Sequence, residues 1–254
     1  MIERIGRKAV GLVEVAGRGG QFLGDMVAAL PDVATWGAPT LVQMRRIGVD
    51  SLPVALFIAA FTGVVLALQA SYTFTGAVPL YFVGTLVGKS MMLELGPMLV
   101  GLALAGRVGA SMAAELGTMR VTEQVDALET LAYNPQSFLV VPRVLAGTTM
   151  FPIVVALAIL VGIVTGWGTS LVLLKLTTPE FVKGLKLFYD FKDSWYGLFK
   201  SATFGFTITL VGCGVGLTTR GGAEGVGRST TRAVVYSAVL ILMLDAFWAA
   251  VLLR

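Results

Sequence analysis

Residues 144–174 read VLAGTTMFPIVVALAILVGIVTGWGTSLVLL, 31 residues in a row without a charge. As a helix this run measures roughly 46 Å, longer than the ~30 Å hydrocarbon core of a bilayer. It therefore reads as a spanning helix that tilts or projects beyond the membrane. A second charge-free run extends from Ser51 to Gly88. Between the two lies a hydrophilic island at 113–143, centred on Glu115-Leu-Gly-Thr-Met-Arg-Val-Thr-Glu-Gln-Val-Asp-Ala-Leu-Glu129. A compact polar segment between apolar runs has to stand in water. Its acidic side chains alternate with Leu116, Met119, Val121, Val125 and Leu128, which suits a short helix lying in a partner's groove. A solvated loop helix is the bland alternative.

Working outward, the composition fits one polytopic domain. Of 254 residues, 56% are hydrophobic and 13% charged, against about 25% charged in soluble domains. The net charge of +4 reflects basic residues on cytoplasmic loops, not nucleic-acid binding. Cys213 is the single cysteine and there is no histidine. That excludes an internal disulfide framework and removes the commonest proton shuttle. No Ser–His–Asp set, metal-ligand spacing or His/Cys cluster is present, so the chain does not read as an enzyme. If transport consumes ATP, the ATPase resides on another chain.

Residues 1–18 predict an amphipathic helix. Ile2, Ile5, Ala9, Leu12, Val13 and Ala16 share an arc opposite Arg4, Arg7, Lys8, Glu14 and Arg18, the pattern of a helix lying on the cytoplasmic leaflet. The same charges rule out a cleavable signal peptide. Gly19, Gly20 and Pro31 break the path before residues 39–50 return to the membrane with Arg45 and Arg46 as anchors. Five spans follow, at about 52–75, 89–112, 144–174, 200–219 and 233–253. Residues 76–88 read as a tight connection and 175–200 as a mixed amphipathic stretch, with Trp195 and Tyr196 at an interface. With the N-terminus inside, the island and the Gly-rich segment 220–228 are also inside. The lysines at 175, 183, 186, 192 and 200 then fall outside, against the positive-inside rule.

Glu94 and Asp245 each lie 13 residues from an arginine expected at the inner rim, Arg107 and Arg232, or about 20 Å deep. Lys200 enters from the outer side and is placed to reach them, as is Lys89, one turn from Glu94. Such an intramembrane cluster reads equally as a functional group or as a structural ion pair. Two glycine motifs promise less. Gly84 to Ser90 resembles a phosphate-binding loop but has three residues, not four, between its glycines. Gly221 to Gly227 looks like a phosphate cradle but lacks a preceding strand, so a flexible turn is expected. Gly162 and Gly166 form a small-xxx-small pair that permits close helix approach.

Three blocks carry a resemblance. They are Glu94-Leu-Gly-Pro97, Ala105-Gly-Arg-Val-Gly109 and the island from Ala114 to Leu128. With Val141-Pro-Arg143, Gly221 to Arg228, Thr230-Thr-Arg232 and Leu244-Asp245, they closely resemble the MlaE/YrbE family over about residues 40–250. These are permease subunits of ABC transporters that move lipid with MCE proteins. The resemblance implies an all-α integral membrane protein, with an N-terminal interfacial elbow helix and about five transmembrane helices, like ABCG/ABCA-type exporter permeases. The whole chain 1–254 would be one permease domain: an interfacial region 1–50, first and second spans 51–112, a coupling region 113–143, and third to fifth spans 144–254.

The resemblance also implies partners and sites. The chain would form a homodimer in the bacterial inner membrane, with a cytoplasmic ABC ATPase that carries the ATP and Mg. A hexameric MCE-domain protein would sit on the periplasmic side, and a STAS-domain protein would bind the ATPase. This chain itself would hold no cofactor. The substrate would be phospholipid, moved between inner and outer membranes to maintain outer-membrane lipid asymmetry. ATPase coupling would fall to Glu115, Met119, Arg120, Glu123, Gln124, Asp126 and Leu128. The lipid pocket would lie at Leu66, Gln69, Tyr72, Thr73, Phe74 and Ala77, with Leu66 and Phe74 facing acyl chains. The family's intramembrane charges would be Glu94, Lys200 and Asp245. The rivals from other classes are a proton-coupled carrier using Glu94 and Asp245, and a passive scaffold.

Overall fold

In lipid every backbone N–H and C=O must bond within its own segment, so uncharged runs of this length become helices. The computed structural model describes residues 17, 19–74 and 78–252, and among them there is no strand. The predicted N-terminal amphipathic helix and the pocket residue Ala77 lie outside the described residues. The first described helix, α1, covers 19–29. It is followed by α2 (Val33–Ile47), whose last turn carries Arg45 and Arg46. Among the described residues, five helical stretches are long and apolar enough to cross a membrane.

The first span is α3 (Leu52–Thr73). The second is one helical stretch, Phe82–Val121. It comprises α4 (Phe82–Ser90), α5 (Gly96–Leu104) and α6 (Ala110–Val121), joined by π-helical turns at Met91–Leu95 and Ala105–Gly109. This corrects two expectations. Residues 82–88 are the start of the second span, not a connection. Residues 113–121 of the hydrophilic island are its end, so the island is no separate helix there. A short α7 (Gln124–Thr130) follows, and α8 (Val141–Leu173) is the third span.

The expected amphipathic stretch at 175–200 resolves into α9 (Thr178–Leu187) and the beginning of α10 (Phe191–Leu217), the fourth span. A capping box starts α9: the Glu180 carboxylate accepts the Thr177 N–H at 2.9 Å and its hydroxyl at 2.7 Å. These bonds favour the ionised form and hold the Glu180 carboxyl below the usual carboxylate range. The fifth span, α11 (Gly222–Leu252), begins within the segment expected to be a flexible turn. Only Gly221 and Gly222 have left-handed backbone there, at φ +92° and +65°. The remainder of the glycine motif is helical.

Small residues set the helix crossings. A Cβ on Gly63 would strike the Gly162 carbonyl, and one on Gly166 would meet the Gly63 carbonyl at 3.1 Å. The Gly162/Gly166 pair thus fits α8 tightly onto α3. α8 also packs on α10, α10 on α11, and both α10 and α11 on α6. At one end of the bundle α4 and α9 clasp each other, with Phe181 buried and the Thr85 hydroxyl bonded to the Gly184 carbonyl at 2.5 Å. At the end where α6 and α10 finish lie Arg46, Arg107, Arg120, Arg143, Arg220, Arg228 and Arg232.

Candidate functional site

The centre of the site is Lys200, whose side chain has no exposed surface. Its Nζ lies 2.5 Å from Glu94 Oε2 and 2.7 Å from Asp245 Oδ1. Glu94 and Asp245, at matched spacing from Arg107 and Arg232, thus meet the Lys200 expected to reach them, from the second, fourth and fifth spans. Local sequence explains how they meet. Glu94 sits in the π turn before Pro97. Pro97 has no N–H to bond the Leu93 carbonyl four residues back, and Lys200 Nζ approaches that oxygen at 3.4 Å. Gly197 lets α10 come close, since a Cβ there would collide with the Met92 carbonyl.

Tyr196 completes the group, with its hydroxyl 3.4 Å and its ring centroid 5.1 Å from Nζ. Sequence reasoning placed Tyr196 at an interface and missed this role. Its position one turn before Lys200 was the available signal. Lys89 does not join the cluster: it pairs with Asp193 at 3.1 Å, which corrects the expectation that it reaches Glu94. With one cation between two carboxylates out of bulk water, the attraction must offset a large desolvation cost. The arrangement ties three spans together at one depth.

A second charged group lies at the arginine-rich end. Arg143, only 4% exposed, donates to Glu115 Oε1 at 2.9 Å and to the Leu139 carbonyl at 2.6 Å. Arg46 meets the same Glu115 oxygen at 3.4 Å. Arg107 donates to the Ser51 hydroxyl and, at 3.4 Å, to the Arg46 carbonyl. Glu115 thereby links α2, α6 and the start of α8. The Arg143 pairing was missed from sequence, although both residues border the island.

Between these contacts the chain turns sharply. Helix α6 ends at Val121, Glu123 takes left-handed backbone at φ 61°, and α7 then leads away. An ion pair between Arg120 and Asp126 spans the elbow. Leu116 and Val125 are buried in the chain's own core, so these two are not available to a partner's groove as the alternation suggested. Met119 and Leu128 are half-buried, whereas Glu123, Gln124, Asp126 and Glu129 are exposed. Leu131 and Tyr133, which the sequence did not single out, are also exposed, at 68% and 50%.

On α3, Gln69, Tyr72 and Thr73 are exposed, Tyr72 at 86%. Leu66 turns into the chain's own core, and Phe74 packs partly against it. Phe57, Phe61, Val65 and Leu68 continue an exposed apolar stripe toward the other end of α3. α11 is likewise largely unburied by its own chain, and both α3 and α11 pack on α5. Among the described residues no cluster of acidic, histidine or cysteine side chains fits a metal ion.

Known proteins resemble this chain in sequence. The family model described as Permease MlaE matches residues 40–251. A probable ABC transporter permease protein of Synechocystis is 42% identical over 208 residues, covering 82% of this chain and 79% of the relative. One of Rickettsia typhi is 42% identical over 201 residues, covering 79% and 78%. The chloroplastic protein TRIGALACTOSYLDIACYLGLYCEROL 1 of Arabidopsis thaliana is 34% identical over 206 residues, covering 81% of this chain and 59% of that protein. A match over most of the length, on a bundle of five apolar helices, places this multi-pass membrane protein in the MlaE permease family.

Proposed function

We propose that this chain is the membrane subunit of an ATP-driven phospholipid transporter, working as a homodimer with a separate cytoplasmic ATPase and a periplasmic MCE-domain ring. The observation that carries the reading is the elbow at Glu123. A polar, exposed turn terminates the second span, in a chain whose relatives bear the names of ABC permeases. A transporter without catalytic residues needs such an external handle.

The geometry gives the handle a lever. From Val121 back to Glu94 the second span is continuous helix, roughly 40 Å long, so a push on the elbow reaches the Lys200 cluster. Through that cluster the fourth and fifth spans move with the second. Two copies would enclose a cavity between their first, second and fifth spans. The exposed stripe from Phe57 to Leu68 would line acyl chains, and Gln69, Tyr72 and Thr73 would meet the headgroup at the rim. This subunit supplies no cofactor, and ATP with Mg belongs to the ATPase.

Reconstitution into liposomes with the ATPase and a labelled phospholipid tests the proposal. Phospholipid movement that needs both ATP and the ATPase is the expected result. Movement driven by a pH gradient in the absence of the ATPase would overturn it in favour of a carrier.

A further inference from the structure

The proposed transport route leaves one feature unused. At the arginine-rich end, a cleft of about 430 Å³ opens between the end of α10 and the first turns of α11, lined by Thr218, Arg220, Arg228, Ser229, Arg232 and Tyr236, among others. A neighbouring cleft shares Thr218 and Arg220 and adds Arg120. The positive-inside rule makes this end cytoplasmic. We propose that the cleft binds the phosphate of an anionic phospholipid of the cytoplasmic leaflet, with the acyl chains running along the exposed face of α11.

Charge, hydrogen-bonding capacity and shape each support this. Among the described residues, Arg220 and Arg232 form no ion pair, and Arg228 has only Glu224 at 3.6 Å, whose side chain is 81% exposed. The cleft therefore carries uncompensated guanidinium groups, whose forked donors match phosphate oxygens. Ser229 is only 7% exposed. Its hydroxyl lies 2.8 Å from that of Thr219, which also has the Val215 carbonyl as an acceptor at 3.2 Å. The backbone fixes the frame: Gly221 and Gly222 make the turn, and Gly225 packs so closely on the Arg220 carbonyl that a Cβ would not fit.

Shape favours a lipid over a soluble phosphate. On α11, Arg228 and Arg232 are followed at helical spacing by Val235, Tyr236, Val239 and Met243, each more than half exposed. A track that passes from arginines to apolar side chains matches an amphiphile, and basic pockets at cytoplasmic helix ends suit anionic headgroups. A soluble phosphate would make no use of the apolar part.

The test uses the full chain, delipidated in neutral detergent, beside Arg228→Gln/Arg232→Gln and Arg228→Lys/Arg232→Lys variants. Thermal midpoints are measured with added phosphatidylglycerol, with phosphatidylcholine of the same acyl chains, and with inorganic phosphate. In wild type, phosphatidylglycerol should raise the midpoint several degrees more than phosphatidylcholine, and inorganic phosphate should produce little shift. The Gln variant should lose the extra shift while keeping the ligand-free midpoint and the phosphatidylcholine response. The Lys variant should keep part of it. Two results would overturn the proposal: an undiminished extra shift in the Gln variant, or the full shift from inorganic phosphate alone. ATP-driven phospholipid transfer by the same variants reads the transport proposal separately.

Discussion

The Lys200 and Arg120 clusters use the same chemistry in opposite settings. Lys200 has no exposed surface and is held between Glu94 and Asp245. Arg120 and Asp126 span the elbow with side chains 39% and 53% exposed. Water can replace a lost partner at the elbow but not at Lys200. The interior group therefore holds spans together, whereas the exposed one is free to meet another protein at little cost to the fold. The Arg143–Glu115 pair falls between the two, with one partner buried and the other 40% exposed.

That ordering can be broken by experiment. Lys200→Met leaves two carboxylates without their cation, and about 3–5 kcal/mol of stability should disappear. It would be read as aggregation on size exclusion and a fall in thermal midpoint. Glu94→Gln/Lys200→Met/Asp245→Asn should recover most of the loss if charge balance is what matters; failure to recover would indicate that Lys200 acts through shape. Arg143→Ala should cost roughly 1–3 kcal/mol, the range for removing one partner from a buried hydrogen-bonded group, measured by the same thermal scan. Arg120→Ala should cost the least of the three, less than about 1 kcal/mol, as expected for an exposed pair.

The smallest effect belongs to Glu180 in the α9 capping box. Its carboxyl is held below the usual range, so its contribution is present above the unfolded carboxylate pKa and is lost as pH falls through the lowered folded value. Acidification should fray the start of α9 first. Thr177→Ala should return the Glu180 titration toward the ordinary range, as seen by carboxyl-selective NMR.

Much of this contrast was legible in the sequence. Equal spacing of Glu94 and Asp245 from Arg107 and Arg232 placed the two acids at one depth, because helical rise is constant. The five spans followed from uninterrupted apolar length. Helix ends were harder to read, because Gly84, Gly88 and the glycines from 221 to 227 serve two purposes. Gly84 and Gly225 admit a neighbouring backbone inside a helix, whereas Gly221 and Gly222 make a turn. Composition alone cannot separate these uses. Nor could alternation show that Leu116 and Val125 point inward while Leu131 and Tyr133 remain exposed, since that depends on the turn at Glu123.

In the proposed transporter, the exposed elbow is where the ATPase docks. The most direct test is co-purification of the ATPase with wild type and with a Glu123→Lys/Glu129→Lys variant, which leaves the Arg120–Asp126 pair intact. The variant should stay monodisperse and keep its phospholipid but lose the ATPase. A variant that retains a fully active ATPase would contradict docking at the elbow.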